Sequence, residues 1–158
     1  MINFINPIEL SILLFIILIS GFGIKNGFII ELKKITNLSL SLFLSSMIVK
    51  YILEIYTQSA IVILLLYAIF FLCLIALIGL CIDLAIEYSS QFSIPYVIDK
   101  LLGGLLATLK SLILISTLLF FIKLLPVPSN IINNFFLKAN QGSTLFTICE
   151  NLQIFIIN

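Results

Sequence analysis

Residues 60–82 read AIVILLLYAIFFLCLIALIGLCI, twenty-three positions without one charged side chain. A helix needs about 20 mainly apolar residues to cross about 30 Å of hydrocarbon, so this stretch predicts a transmembrane helix. The whole chain has the same character, since 62% of its 158 residues are apolar and 9% are charged. A soluble domain carries about 25% charged residues. This deficit excludes a water-soluble globule and a disordered chain, because neither could hide so much apolar surface.

Three further apolar segments surround this stretch. The sequence predicts spans over about residues 8–24, 35–53 and 101–125, in addition to 60–82. Pro7 suits the first turn of the first span, and the Pro126-Val127-Pro128 segment ends the last one. We therefore predict an all-α polytopic membrane protein, with a four-helix transmembrane domain at residues 1–125 and a tail at residues 126–158.

The tail carries two amphipathic patterns, each too short to span. Ile131, Ile132, Phe135 and Phe136 share one helical face. A second apolar set repeats at helical spacing after residue 142: Leu145, Ile148, Cys149, Leu152, Phe155 and Ile156. We predict two short amphipathic helices on the outer membrane–water interface. Packing back on the bundle is the alternative.

The lysine distribution predicts the orientation of the spans. Lys25, Lys33 and Lys34 fall in the first connection, which should be cytoplasmic because short cytoplasmic loops are enriched in Lys and Arg. This orientation places the N-terminus and the C-terminus outside. Residues 1–9 contain no Lys or Arg, so we expect the first span to stay in the protein rather than act as a cleaved signal.

Several function classes are excluded by residue types. The chain has no His, so a Ser-His-Asp triad or a His-ligated metal cannot form within it. A net charge of +1 provides no basic field for nucleic acid. No acid and nucleophile stand at a catalytic spacing. We predict a protein without catalytic residues, metal or other cofactor, whose partners are the bilayer and other membrane proteins or a second copy.

Lys110 lies about nine residues into the last predicted span, where a charge is costly without a partner or water. Asp83 and Glu87 end the preceding span one helical turn apart, on the same side of the membrane as the start of the last span. We predict an ion pair between Lys110 and one of these acids. An ion or proton pathway through the three residues is the functional alternative.

Two segments have residue patterns that hydropathy alone does not explain. The first is GIKNGFIIE at residues 23–31, where two glycines permit a tight turn and Glu31 would begin a helix. The second begins with Asp99 and continues into Gly103, Ala107 and Ser111, small residues at four-residue spacing. Such a stripe lets another helix approach closely. A ligand-contacting stripe is the alternative.

These two segments resemble motifs of the colicin V production protein (CvpA) family, and the resemblance covers about residues 8–125. The positions that carry it, named here as family-motif positions, are Gly23, Lys25, Gly27, Phe28, Glu31, Asp99, Lys100, Leu102, Gly103, Ala107 and Ser111. The resemblance implies a multi-pass protein of the bacterial inner membrane that supports colicin V or toxin production or export and envelope homeostasis. It implies no catalytic activity.

Two functional hypotheses follow. In the first, the chain acts without catalysis, through helix–helix contacts with partners. In the second, it forms a small oligomeric channel or transporter with Lys110, Asp83 and Glu87 near the pathway.

Overall fold

The computed structural model describes residues 7–55, 59–88, 95–125, 128–140 and 143–157. Within these ranges the chain forms helices and no strand. The six helices are α1 (Pro7–Asn26), α2 (Phe28–Ile55), α3 (Ala60–Tyr88), α4 (Tyr96–Leu124), α5 (Ser129–Asn140) and α6 (Thr144–Ile157). The predicted all-α fold is confirmed.

Four of these helices are long and apolar enough to cross a membrane, over Pro7–Asn26, Phe28–Leu53, Ile61–Ala85 and Tyr96–Lys123. Helices suit that environment because every backbone N–H and C=O is satisfied within the segment. Large apolar side chains such as Leu18, Leu72 and Leu80 remain exposed on α1 and α3, as expected where a helix faces lipid.

The boundaries of two spans differ from the predicted ones. Helix α2 begins at Phe28 rather than near residue 35, and α4 begins at Tyr96 rather than at residue 101. Lys33 and Lys34, which the sequence placed in a connection, therefore lie in the first two turns of α2. Both lysines form ion pairs there, which lower the cost of their charge at the start of an apolar span.

Helix α4 is the centre of the bundle. It packs against α1, α2 and α6, whereas α3 packs mainly against α2, and α1 and α2 contact each other little. One core cluster joins α2 and α3 through Leu42, Val49 and Tyr67, with Phe120 and Phe121 of α4 packed against it. The ring centroids of Tyr67 and Phe120 are 4.9 Å apart.

A second core cluster joins the tail to the bundle. Phe136 of α5 and Phe146 and Cys149 of α6 are buried together with Ile12 of α1 and Leu119 of α4. The Ser116 hydroxyl donates a hydrogen bond to the Cys149 carbonyl at 2.8 Å. Of the two arrangements that the sequence left open for the tail, the structure has the packed one. The division of the chain at residue 125 stays a prediction.

Candidate functional site

The first family-motif segment forms a one-residue turn. Helix α1 ends at Asn26 and α2 begins at Phe28, so Gly27 alone joins them, with φ = 91°. Its N–H donates to the Gly23 carbonyl at 3.0 Å, and its own carbonyl accepts from the Glu31 N–H at 3.2 Å. Positive φ is costly for a residue with a Cβ, so this turn requires glycine.

The second segment caps the helix that follows this turn. Asp99, in the first turn of α4, accepts a hydrogen bond from the Phe28 N–H on Oδ1 at 2.8 Å. The first N–H groups of a helix have no intrahelical acceptor, and a carboxylate there also complements the helix dipole. A Cβ on Gly27 would collide with Asp99 Oδ2 and lie 2.9 Å from Cγ. The absence of a side chain at Gly27 therefore lets α4 cap α2.

The small-residue stripe of α4 lies against α1. A Cβ on Gly23 would collide with the Cβ of Ala107 and lie 2.6 Å from the Gly103 carbonyl oxygen. A Cβ on Gly103 would lie 2.7 Å from both the Gly23 carbonyl oxygen and the Gly27 carbonyl carbon. Both glycines therefore permit backbone-to-backbone approach, as small residues do between membrane helices. In this structure the stripe is occupied by α1 of the same chain.

Glu31 is the charged centre of the site. Its side chain is 0% exposed, and Oε1 accepts hydrogen bonds from Asn26 Nδ2 at 2.6 Å and Lys34 Nζ at 3.0 Å. Oε2 is paired with the ammonium group of Lys110, whose side chain is 14% exposed. A buried charge is tolerated only when it is paired and hydrogen-bonded. The contacts of Glu31 meet this condition and join the start of α2 to the middle of α4.

The predicted pair between Lys110 and Asp83 does not form in the structure. Lys110 is paired with Glu31, and Asp83 is paired with Lys33 of α2. The side chain of Glu87, the other predicted partner, lies outside the described residues. The prediction assumed that α4 packs on α3, its neighbour in sequence, whereas α4 packs mainly on α1 and α2. Glu31 was not predicted as the partner of Lys110. Its place at the start of a helix indicated only a favourable interaction with the helix dipole.

The remaining family-motif positions lie around this centre. Lys100 donates from Nζ to the Lys25 carbonyl at 2.8 Å, and its Nζ lies 4.0 Å from Asp99 Oδ2. Ser111 is fully buried and donates to the Thr108 carbonyl of its own helix at 2.6 Å. Leu102 is exposed. The two motifs therefore form one site, which we call the motif junction, although 71 positions separate Phe28 from Asp99.

Polar side chains on the next turns of α2 form hydrogen bonds with α3 or within α2. Asn37 Nδ2 donates to the Ile75 carbonyl of α3 at 3.1 Å, and Ser41 donates to Asn37 Oδ1 at 3.3 Å. Ser45 donates to the carbonyl of Leu42 in its own helix at 2.9 Å. Asn37 therefore connects α2 to α3, and the two serine hydroxyls donate to acceptors within α2.

Among the residues that the structure describes, no group of three or more His, Cys, Asp or Glu side chains could hold a metal ion. The contacts of the motif junction neutralise charge within the bundle and fix three helices relative to one another.

Comparison with known proteins adds one finding to this geometry. No curated protein and no solved structure matches the chain. A family model described as colicin V production protein matches residues 8–153, nearly the whole chain, including the motif junction and most of the tail. With four helices able to span a bilayer, the chain is a multi-pass membrane protein, and it belongs to the colicin V production protein family.

Proposed function

We propose that this protein supports the production or export of colicin V-type toxins, and more broadly envelope homeostasis, without catalysis and through helix–helix contacts. The motif junction is the observation that carries the proposal. Its charged residues pair with one another, and its glycines let the helices approach closely. These are the residues that set the chain apart from a generic apolar bundle, and they hold α1, α2 and α4 in one arrangement.

Contacts with partner proteins would use the faces that the bundle leaves exposed. The outer face of α3 is the best candidate, because α3 packs mainly on α2 and exposes Ile69, Leu72 and Leu80. Crosslinking from photoreactive residues at these positions in native membranes, followed by mass spectrometry, would identify the partner or a second copy.

The proposed location is the bacterial inner membrane, with both termini outside. The basis is the cluster of Lys25, Lys33 and Lys34 at the α1–α2 end, the end that carries the motif junction. Reporter fusions at residue 30 and at the C-terminus test this orientation. A C-terminal fusion that is active only in the cytoplasm would contradict it.

A channel or transporter is the second candidate, because ionisable residues within membrane spans often mark transport pathways. Glu31 and Lys110 are such residues, but they are paired with each other and the carboxylate is fully buried. Ion or solute flux through purified protein in liposomes, abolished by Lys110→Leu, would favour this candidate over the proposed one.

Complementation tests the proposed function. A producing strain that lacks the gene should release less toxin, measured as growth inhibition of a sensitive strain, and the wild-type gene should restore release. Gly103→Leu should insert but fail to restore release, because it disrupts the α1–α4 contact. Leu105→Phe, at an exposed position of the same helix, is the matched control and should restore it. Unchanged release after deletion would contradict the proposal.

A further inference from the structure

The half of the bundle away from the motif junction contains a groove of about 510 Å³. Its walls come from the first half of α1 and the second half of α4, with Ile12 and Phe15 on one side and Ile115 and Leu119 on the other. Phe135 of α5 and Phe146 of α6 complete the lining. Ligand sites in proteins occupy about 300–1,000 Å³ and are lined mainly by apolar and aromatic side chains.

The chemistry of the lining favours hydrocarbon. The lining residues are apolar except Ser11, whose hydroxyl donates to the Pro7 carbonyl of its own helix at 2.8 Å. The groove therefore presents no side-chain donor that lacks an acceptor. A water molecule or a polar ligand needs several hydrogen-bonding partners, which such a groove does not supply.

One end of the groove lies near charged side chains. Most of the lining belongs to the spans Pro7–Asn26 and Tyr96–Lys123, whereas Phe135 and Phe146 come from the helices beyond the last span. Charged groups lie beside the neighbouring ring of Phe136, which does not line the groove: Lys123 Nζ is 4.6 Å from the Phe136 ring centroid and 2.9 Å from Glu150 Oε1. The ring of Phe136 in turn lies 5.5 Å from that of Phe146. An amphiphile with its chain in the groove would keep its headgroup at this charged level.

The length of the groove suits part of one acyl chain. Its lining covers residues 8–15 of α1 and 114–122 of α4, which is about two helical turns of each helix. An extended acyl chain can lie along these two turns.

From these observations we infer that the groove binds one acyl chain of a membrane phospholipid. The inference does not rest on the proposed function, because the groove shares no residue with the motif junction. An acyl chain in the bilayer is already out of water, so it gains only from its fit to the groove. We therefore expect selective retention of lipid rather than very tight binding.

Photocrosslinking tests the site without changing the protein. The full chain is reconstituted in phosphatidylethanolamine–phosphatidylglycerol vesicles that contain phosphatidylethanolamine with a diazirine in one acyl chain. We expect adducts in residues 8–15 and 114–122 to exceed those on the outward face of α3 several-fold. Equal labelling of the groove and of α3 would overturn the inference, because both surfaces would then contact only bulk lipid.

Variants and native mass spectrometry separate the possible occupants. Wild-type protein should keep one phospholipid after detergent exchange, and Ser11→Trp should lose it, because the indole would fill the groove. Leu14→Trp is the matched control on an exposed face of α1 outside the groove, and it should keep the lipid. Leu118→Trp, at another exposed lining position, repeats the test if Ser11→Trp fails to fold. A dimer that the groove variants dissociate would assign the groove to a second copy, and no retained lipid in wild type would also overturn the inference.

Discussion

At the scale of single residues, the motif junction makes two requirements: a buried charge needs partners, and two positions must have no side chain. Glu31 must be paired, because its side chain has no exposed surface, and three donors converge on it. Gly27 and Gly103 must lack a Cβ, because backbone or carboxylate atoms of another helix occupy the space. The charged residues hold α2 to α4, and the glycines permit the distance at which they do so.

Gly27→Ala should destabilise the protein by at least about 1 kcal/mol. The left-handed conformation alone costs an L-residue about 1–2 kcal/mol, and the new Cβ would also displace the Asp99 cap. Thermal unfolding in detergent measures the effect. Gly21→Ala is the matched control, since a Cβ there meets no atom within 4 Å. Equal melting temperatures for the two variants would mean that the turn is not held as described.

At the scale of the helices, the close contact between α1 and α4 organises the bundle. Gly103→Leu should cost at least about 1–3 kcal/mol, the usual penalty for overpacking, because its backbone neighbours cannot move aside as a side chain could. Reduced abundance with normal membrane insertion is the expected result. Leu105→Phe on the exposed side of α4 should leave abundance unchanged. Normal abundance of Gly103→Leu would indicate that α1 and α4 do not approach so closely.

The helices also show what sequence can predict and where it stops. The four spans follow from hydropathy, because a long apolar run has few alternatives in a bilayer. The start of α2 could not be predicted from hydropathy. Two adjacent lysines, Lys33 and Lys34, are typical of a loop between spans, and their acidic partners are known only from the structure. The motif residues were recognisable in sequence, but the partner of Lys110 was not. Pairing depends on which helices are neighbours, and α4 lies next to α2 rather than mainly next to α3.

At the scale of the whole molecule, the tail completes the bundle at the end opposite the motif junction. Cys149 of α6 is fully buried in the core cluster with Ile12 and Leu119, and burial raises the pKa of its thiol. A raised pKa leaves less thiolate at any given pH, and the thiolate is the reactive form. If the tail is packed on the bundle, the Cys149 thiol should therefore react slowly.

Cys149 should resist maleimide in a variant that carries Cys73→Ala and Cys81→Ala, so that it is the one remaining thiol. We expect slow labelling in membranes and complete labelling after denaturation, measured by intact mass. Adding Phe146→Ala should accelerate labelling, because Phe146 packs in the same cluster. Fast labelling of the folded protein would show that α6 is not docked on α4.

The central claim is that the two motifs are joined by Glu31 and Lys110, and a double-mutant cycle measures this coupling most directly. Glu31→Gln alone should cost about 3–5 kcal/mol, because it leaves Lys110 without its charged partner. Lys110→Met alone should cost less, because Lys34 remains paired with Glu31. The double variant should be more stable than the sum of the two effects implies, by about 0.5–3 kcal/mol. The same cycle with Lys110→Met and Asp83→Asn should be additive, because Asp83 pairs with Lys33. Additivity of the Glu31–Lys110 cycle, in unfolding measured in a membrane mimetic, would contradict the account, and coupling between Lys110 and Asp83 would assign Lys110 to that acid instead.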